Sequence, residues 1–171
     1  TRYTDGIRDA RAELDGRDVT GDVQVQRRAT NLRVTWTMPP TSNVARRFVL
    51  SYRLLGVTRH DAGQDVFHWT ALPRAHEYRI DASTVIVVLP PGVTLIGAPS
   101  VSSPGGEGRR RVDVSTTVAT DQVVFTAGDI GRNGTYTVTL AVRQGQLAAG
   151  LPAWQRANRE RAARAPFAAA V

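Results

Sequence analysis

The sequence predicts an all-β chain: an antiparallel two-sheet β-sandwich, immunoglobulin-like, ending in a short C-terminal helical or linker tail. Three observations carry that reading. Apolar residues recur at period two along much of the chain, which puts alternate side chains on one face of a strand. Turn residues separate these runs at intervals of roughly 8–20 residues, with no helical period between them. Composition agrees, because 171 residues with 42% apolar content and no Cys can bury a core without disulfides. An open barrel is the alternative architecture.

The elements follow in chain order. Val23–Arg28 is a short strand, and in Asn31–Met38 the apolar Leu32, Val34, Trp36 and Met38 alternate with Arg33, Thr35 and Thr37. Arg47–Leu55 sets Phe48, Leu50, Tyr52 and Leu54 on one face. Val49, Ser51, Arg53 and Leu55 occupy the other, so this strand is expected to be covered on both sides. Val66–Thr70 is a further short strand. Ile80–Leu89 ends in the unbroken run Val85-Ile86-Val87-Val88-Leu89, which reads as a central strand stopped by Pro90-Pro91-Gly92. Thr94–Ala98, Arg111–Val118 and Gln122–Ala127 are short strands, with Pro99–Gly108 a loop. Gly134–Arg143 is the clearest strand: Tyr136, Val138, Leu140 and Val142 face one way, Thr135, Thr137, Thr139 and Ala141 the other. Asp15-Gly16 and Asn133-Gly134 are hairpin-type dipeptides, since Asn or Asp before Gly tolerates the positive φ that tight turns need.

Residues 1–150 are thus read as the β domain and 151–171 as a tail. Pro152 suits a first helical turn, and eight of the 21 residues from Leu151 to Val171 are Ala. The tail is either a helix packed by Trp154, interrupted at Pro166, or a linker.

Charge narrows the function. The net charge is +7, and all 22 basic residues are Arg. Residues 1–130 hold 16 Arg against 14 acidic residues, whereas residues 131–171 hold six Arg against Glu160 alone. A nucleic-acid-binding domain carries a basic stripe on its folded body. This body is nearly balanced, and Arg109-Arg110-Arg111 reads as a solvated loop edge, so no nucleic-acid partner is expected. No apolar run approaches the roughly 20 residues of a membrane-spanning helix.

Catalytic patterns are sparse. His60, His68 and His76 recur every eight residues beside Asp61, Asp65 and Glu77. Donors for a metal must converge within about 2 Å of one ion. Residues eight apart on an extended strand lie roughly 26 Å apart, so convergence needs turns at Gly63 and Pro73. His76-Glu77 also lacks the second His that a helical zinc motif requires. The expected reading is three polar surface or edge residues, without metal, catalytic residue or cofactor; a metal-dependent hydrolase is the least favoured alternative. No Gly-x-Ser-x-Gly elbow exists, and Asp81 is the nearest approach to a carboxylate in an apolar context. The densest aromatic site is Phe67-His68-Trp69. Trp69 reads first as a core anchor, and second, with Phe67 and His68, as a weak ligand-contact candidate for a glycan-binding module.

The stretch Phe48–Val93 resembles the N-terminal domain of a bacterial family of predicted membrane proteins, domain-of-unknown-function family 2207. The resemblance rests on Tyr52–Gly56 (Y-x-L/V-x-G), the acidic loop Asp61–Asp65, the aromatic-x-Trp of Phe67–Trp69, and Val85–Gly92 ending in Leu-Pro-Pro-Gly. Ala10–Gly16 is similar to the family's strand-then-Asp-Gly turn, and the segment from Gly150 through Trp154 to Arg159 to its region before the first membrane span. The opening strand that the family sets ahead of that turn is not evident, so the first sheet is expected to be incomplete or the chain truncated. The resemblance implies a β-sandwich domain on the extracytoplasmic side of the cell membrane, anchored through a segment outside this chain, and with no catalytic pattern in the chain a non-enzymatic interaction module is expected. Its partner would be an unknown protein or cell-envelope component. The Arg-rich tail would be a juxtamembrane connection, which sits awkwardly with the positive-inside tendency, or would lie along anionic lipid headgroups.

Overall fold

The computed structural model describes residues 4–27, 32–35, 40, 42–72, 74, 76–102, 113–147 and 150–164. Twelve strands precede one helix among them: β1 (Gly6–Leu14), β2 (Arg17–Asp18), β3 (Gln24–Arg27), β4 (Leu32–Thr35), β5 (Phe48–Leu55), β6 (Thr58–Asp61), β7 (Gln64–Leu72), β8 (Ile80–Val88), β9 (Ser100–Ser102), β10 (Asp113–Val118), β11 (Gln122–Ile130), β12 (Tyr136–Arg143) and α1 (Ala153–Arg164). The chain is mostly β with a short C-terminal helix. Its strands form four small open sheets, ordered β2-β1-β5, β3-β4, β10-β11-β8 and β6-β7-β12-β9, rather than the two layers expected across residues 1–150. Every pairing between these strands is antiparallel. The strands and helix divide between two compact units, one from the chain up to Val57 together with the segment from Pro152, the other spanning Thr58–Leu151.

In the first unit, β1 fills the place where the sequence offered no opening strand. Its alternation is disguised by a bulge between Arg8 and Arg11, with Asp9 at φ 53°. Ile7 pairs with Leu54 and Ala12 with Leu50, so the bulge keeps both on one face although five positions separate them. Asp15 (φ 49°) and Gly16 (φ 79°) join β1 to β2 as a two-residue hairpin, the form that needs positive φ at both positions. Strand β5 is an edge of this sheet. Its ends are half-buried but Ser51, Tyr52 and Arg53 are exposed, so it is not covered on both sides along its length. Strand β4 forms within Asn31–Met38, whose Trp36 and Met38 lie outside the described residues.

The second unit holds the main core. Val123, Phe125, Ala127 and Ile130 of β11 form one buried cluster with Tyr136, Val138, Leu140 and Val142 of β12 and with Leu89. Because β11 and β12 belong to different sheets, two sheets close over one interior. Each large side chain so buried contributes about 1.5–3 kcal/mol. Half-buried Phe67, Trp69, Val85, Val87, Val101 and Val114 pack around the cluster.

Three local expectations are corrected here. Strand β8 is not central: among the described residues it pairs with β11 alone, and its Val-rich run alternates between half-buried Val85 and Val87 and exposed Ile86 and Val88. Asn133-Gly134 does not make a hairpin. Asn133 has φ 57° and Gly134 N–H donates to Gly131 C=O at 3.0 Å, but the turn carries the chain from one sheet to the other. Thr94–Ala98 forms no strand, only a bridge from Leu95 to Val142 and a bond from Ile96 N–H to Ala141 C=O.

Candidate functional site

Strand alternation separates the aromatic trio. Phe67 pairs with Leu140 and Trp69 with Val138, which turns both toward the core. His68 points the other way, where its Nδ1 meets Thr139 Oγ1 at 2.9 Å. The three therefore do not form one platform; Phe67 and Trp69 are half-buried and His68 is exposed.

The histidines are equally divided. Ala62 (φ 46°) and Gly63 (φ 80°) make a two-residue turn between β6 and β7, placing His60 opposite Asp65. His60 Nδ1 lies 2.7 Å from Asp65 Oδ1, and His60 Nε2 lies 2.8 Å from Gly150 C=O. The second Asp65 oxygen accepts Gly145 N–H at 2.9 Å and Leu147 N–H at 3.1 Å. Both residues are buried, Asp65 completely. His76, also buried, sets Nδ1 2.8 Å from Tyr78 C=O and Nε2 2.8 Å from Gly134 C=O. A neutral imidazole has one N–H, so which ring nitrogen donates depends on the tautomer. These sites sit at opposite ends of β12: Asp65 pairs with Val142, whereas Gly134 precedes Tyr136. That span is roughly 26 Å. Among the described residues no three His, Cys, Asp or Glu side chains are grouped to hold a metal. The turn expected at Pro73 and the Arg109–Arg111 run lie outside the described residues. Asp81 is an exposed residue bound to Arg79 at 3.3 Å.

What remains available lies on the outer sheet faces. On β10-β11-β8, with Val123 and Phe125 turned inward, the outward row is Gln122, Val124 and Thr126. Val124 stands between Ile86 and Thr117, and Thr126 between Thr84 and Ser115. Ser115 Oγ and Thr126 Oγ1 are 2.7 Å apart. Ile86 is 57% exposed and Val88 69%. This face therefore joins exposed β-branched carbons to hydroxyls, with no charged side chain in those paired rows. On the other sheet, Thr70 and Thr137 share a hydrogen bond at 3.1 Å beside His68 and Thr139. The run Val85–Leu89 marked the first face in the sequence, although its burial was misread.

The first unit contains a second built feature. Asp5 Oδ2 accepts Ala153 N–H and Asp5 Oδ1 accepts Trp154 N–H, each at 2.9 Å. The indole N–H of Trp154 donates to Gly56 C=O at 2.7 Å. The carboxylate thus satisfies two of the orphan donors at the start of α1 from a residue far away in sequence. This resolves the tail into a helix held at its first turn. From Arg156 to Arg164 every residue is exposed.

No curated protein and no solved structure matches the chain. No described helix is long and apolar enough to cross a membrane. Residues 3–142, most of the chain, match the model described as the N-terminal domain of a predicted membrane protein (DUF2207), so the chain belongs to that family.

Proposed function

We propose that the chain is a non-catalytic, extracytoplasmic domain of a membrane-anchored protein, which presents a sheet face to a protein or cell-envelope component. In this reading the second unit is an immunoglobulin-like sandwich, with its three-stranded and four-stranded sheets as the two layers. The observation that carries the reading is the outer face of β10-β11-β8. Exposed Ile86 and Val88 beside Val124 make an apolar strip edged by Thr84, Thr117 and Ser115. Desolvating such a strip on contact is favourable, and uncharged hydroxyls at its edge cost little to pair. Membership of a membrane-protein family supports the location.

The test is made in cells that express the full-length protein. A photo-crosslinking amino acid is placed at Ile86 or Val88, with Glu160 as the control position, and external protease reports the side of the membrane. Discrete adducts at 86 and 88 but not at 160, on a domain that external protease digests, are the expected result. A domain shielded from external protease, or adducts no different from those at 160, overturns the proposal.

A further inference from the structure

We infer that α1 is an electrostatic contact for anionic phospholipid headgroups. Its segment Arg156–Arg164 carries four Arg against Glu160 alone, a net charge of +3 over nine residues. Every one of those residues is exposed. Among the described residues none of the four guanidinium groups is ion-paired; Arg161 bonds only Asn158 Oδ1 at 2.8 Å and Ala157 C=O at 3.3 Å. At about 100° per residue, Arg156, Arg159 and Arg164 fall within an arc of about 140° that also contains Glu160, which leaves a net charge of +2 on that side. Three cations thus share one side of a helix about 18 Å long.

The rest of the helix decides what those cations meet. Apart from the arginines and Glu160, its exposed residues are Ala153, Ala157, Asn158, Ala162 and Ala163, which offer no apolar face to sink among acyl chains. The contact is therefore with headgroup phosphates, which the Arg fork matches in geometry. Nucleic acid is the other polyanion. The helix offers it no stacking platform, because Trp154, its one aromatic residue, is engaged through its indole N–H with Gly56. The charge of residues 1–130 is nearly balanced, so the excess positive charge lies in the final quarter of the chain. Membership of a membrane-protein family favours a lipid surface over nucleic acid as the polyanion. The clamp at Asp5 holds the first turn and leaves the basic turns projecting. This inference does not depend on the partner proposed for the β8 face.

The test is co-sedimentation of the whole chain with vesicles of phosphatidylcholine alone or with phosphatidylglycerol added. A cationic side chain near such a surface strengthens binding about fivefold at moderate salt. Binding is expected only with phosphatidylglycerol, and it should vanish at 1 M salt, where the screening length falls to about 3 Å. The variant Arg156→Gln/Arg159→Gln/Arg161→Gln/Arg164→Gln should lose more than about tenfold, while keeping its helical circular dichroism because Gln is a good helix former. The variant Arg8→Gln/Arg74→Gln/Arg143→Gln removes three charges elsewhere and should keep most of the binding. Equal losses in the two variants would trace the effect to net charge and overturn the inference. So would no binding to anionic vesicles, or retention of a DNA duplex at 0.15 M salt by a chain that ignores them.

Discussion

Replacing Asp5 by Ala removes the acceptor that starts α1. Two N–H groups, of Ala153 and Trp154, lose a carboxylate at 2.9 Å each. A hydrogen bond to a charged group contributes about 1.5–3 kcal/mol, and loss of an N-cap alone costs about 1 kcal/mol. Asp5 is half-buried, so water replaces part of the loss and about 2 kcal/mol is expected for the pair. That is about a 30-fold shift in the docking equilibrium. A helix of twelve residues does not hold itself in water, so α1 should unfold while the sheets persist. Ellipticity at 222 nm should fall, and amides in residues 153–164 should exchange far faster. Gly56→Ala offers an independent check on the same clamp. Gly56 has φ +66°, and a Cβ there would lie 2.5 Å from Asp5 Oδ2 and 2.6 Å from Asp5 Cγ. With Asp5 shortened to Ala these two contacts go, leaving the Asp5 Cβ at 3.2 Å and a backbone cost of about 1–2 kcal/mol. The two substitutions together should therefore cost less than the sum of their separate effects. An Asp5→Ala variant with unchanged exchange in α1, or full additivity with Gly56→Ala, would refute the clamp.

Three further outcomes follow from buried or paired polar groups. Tyr136 is fully buried, burial pushes its phenol pKa up, and among the described residues its hydroxyl meets no hydrogen-bond partner. Tyr136→Phe should be neutral or stabilise by about 1–2 kcal/mol in urea unfolding, whereas a loss of that size would reveal a partner. Asp65→Ala should cost about 3–5 kcal/mol, because it leaves His60 without its carboxylate and Gly145 and Leu147 N–H without an acceptor. His60→Leu/Asp65→Leu should not recover the loss in thermal melting, since the two backbone donors stay orphaned. Arg47 N–H first, then the Arg46 guanidinium, hold the Asp15 carboxyl below its usual range. A carboxylate with a depressed folded-state pKa stabilises the fold above its ordinary value and loses that contribution as the pH falls through the folded-state value. Asp15→Asn should flatten the stability profile below about pH 4 and leave its slope at neutral pH unchanged.

The elements that were plain in the sequence are those whose two faces meet different surroundings. Strand β12 alternates buried and half-buried side chains from Tyr136 to Val142 without interruption. Strand β1 was hidden because its bulge breaks the period, although the Asp15-Gly16 turn that ends it was plain. The Val85–Leu89 run misled for a related reason: β-branched residues favour strands whether or not both faces are covered, so Ile86 and Val88 signalled a strand correctly and its depth wrongly. Asn133-Gly134 specified a positive φ but not whether the flanking strands pair. The opposition of His60 and Asp65 could be counted from a two-residue turn at Ala62-Gly63. By contrast, no local pattern links Asp5 to Ala153 and Trp154, since that contact exists only once distant segments meet.

The disposition of the polar side chains bears on function more than any motif does. A histidine acting as a general base needs a nitrogen free to take a substrate proton. In the second unit, His60 and His76 direct both ring nitrogens at oxygens of the protein itself. They tie the loops at either end of β12 to the sheet, where backbone carbonyls and N–H groups would otherwise be buried unpaired. The exposed hydroxyls, Ile86 and Val88, and the guanidinium groups of α1 are suited to recognition by contact area and charge. On the proposed reading, the buried imidazoles and the exposed contact groups are separate sets of side chains. Substitutions at Ile86 or Arg159 should therefore alter association and leave unfolding unchanged, the reverse of substitutions at Asp65.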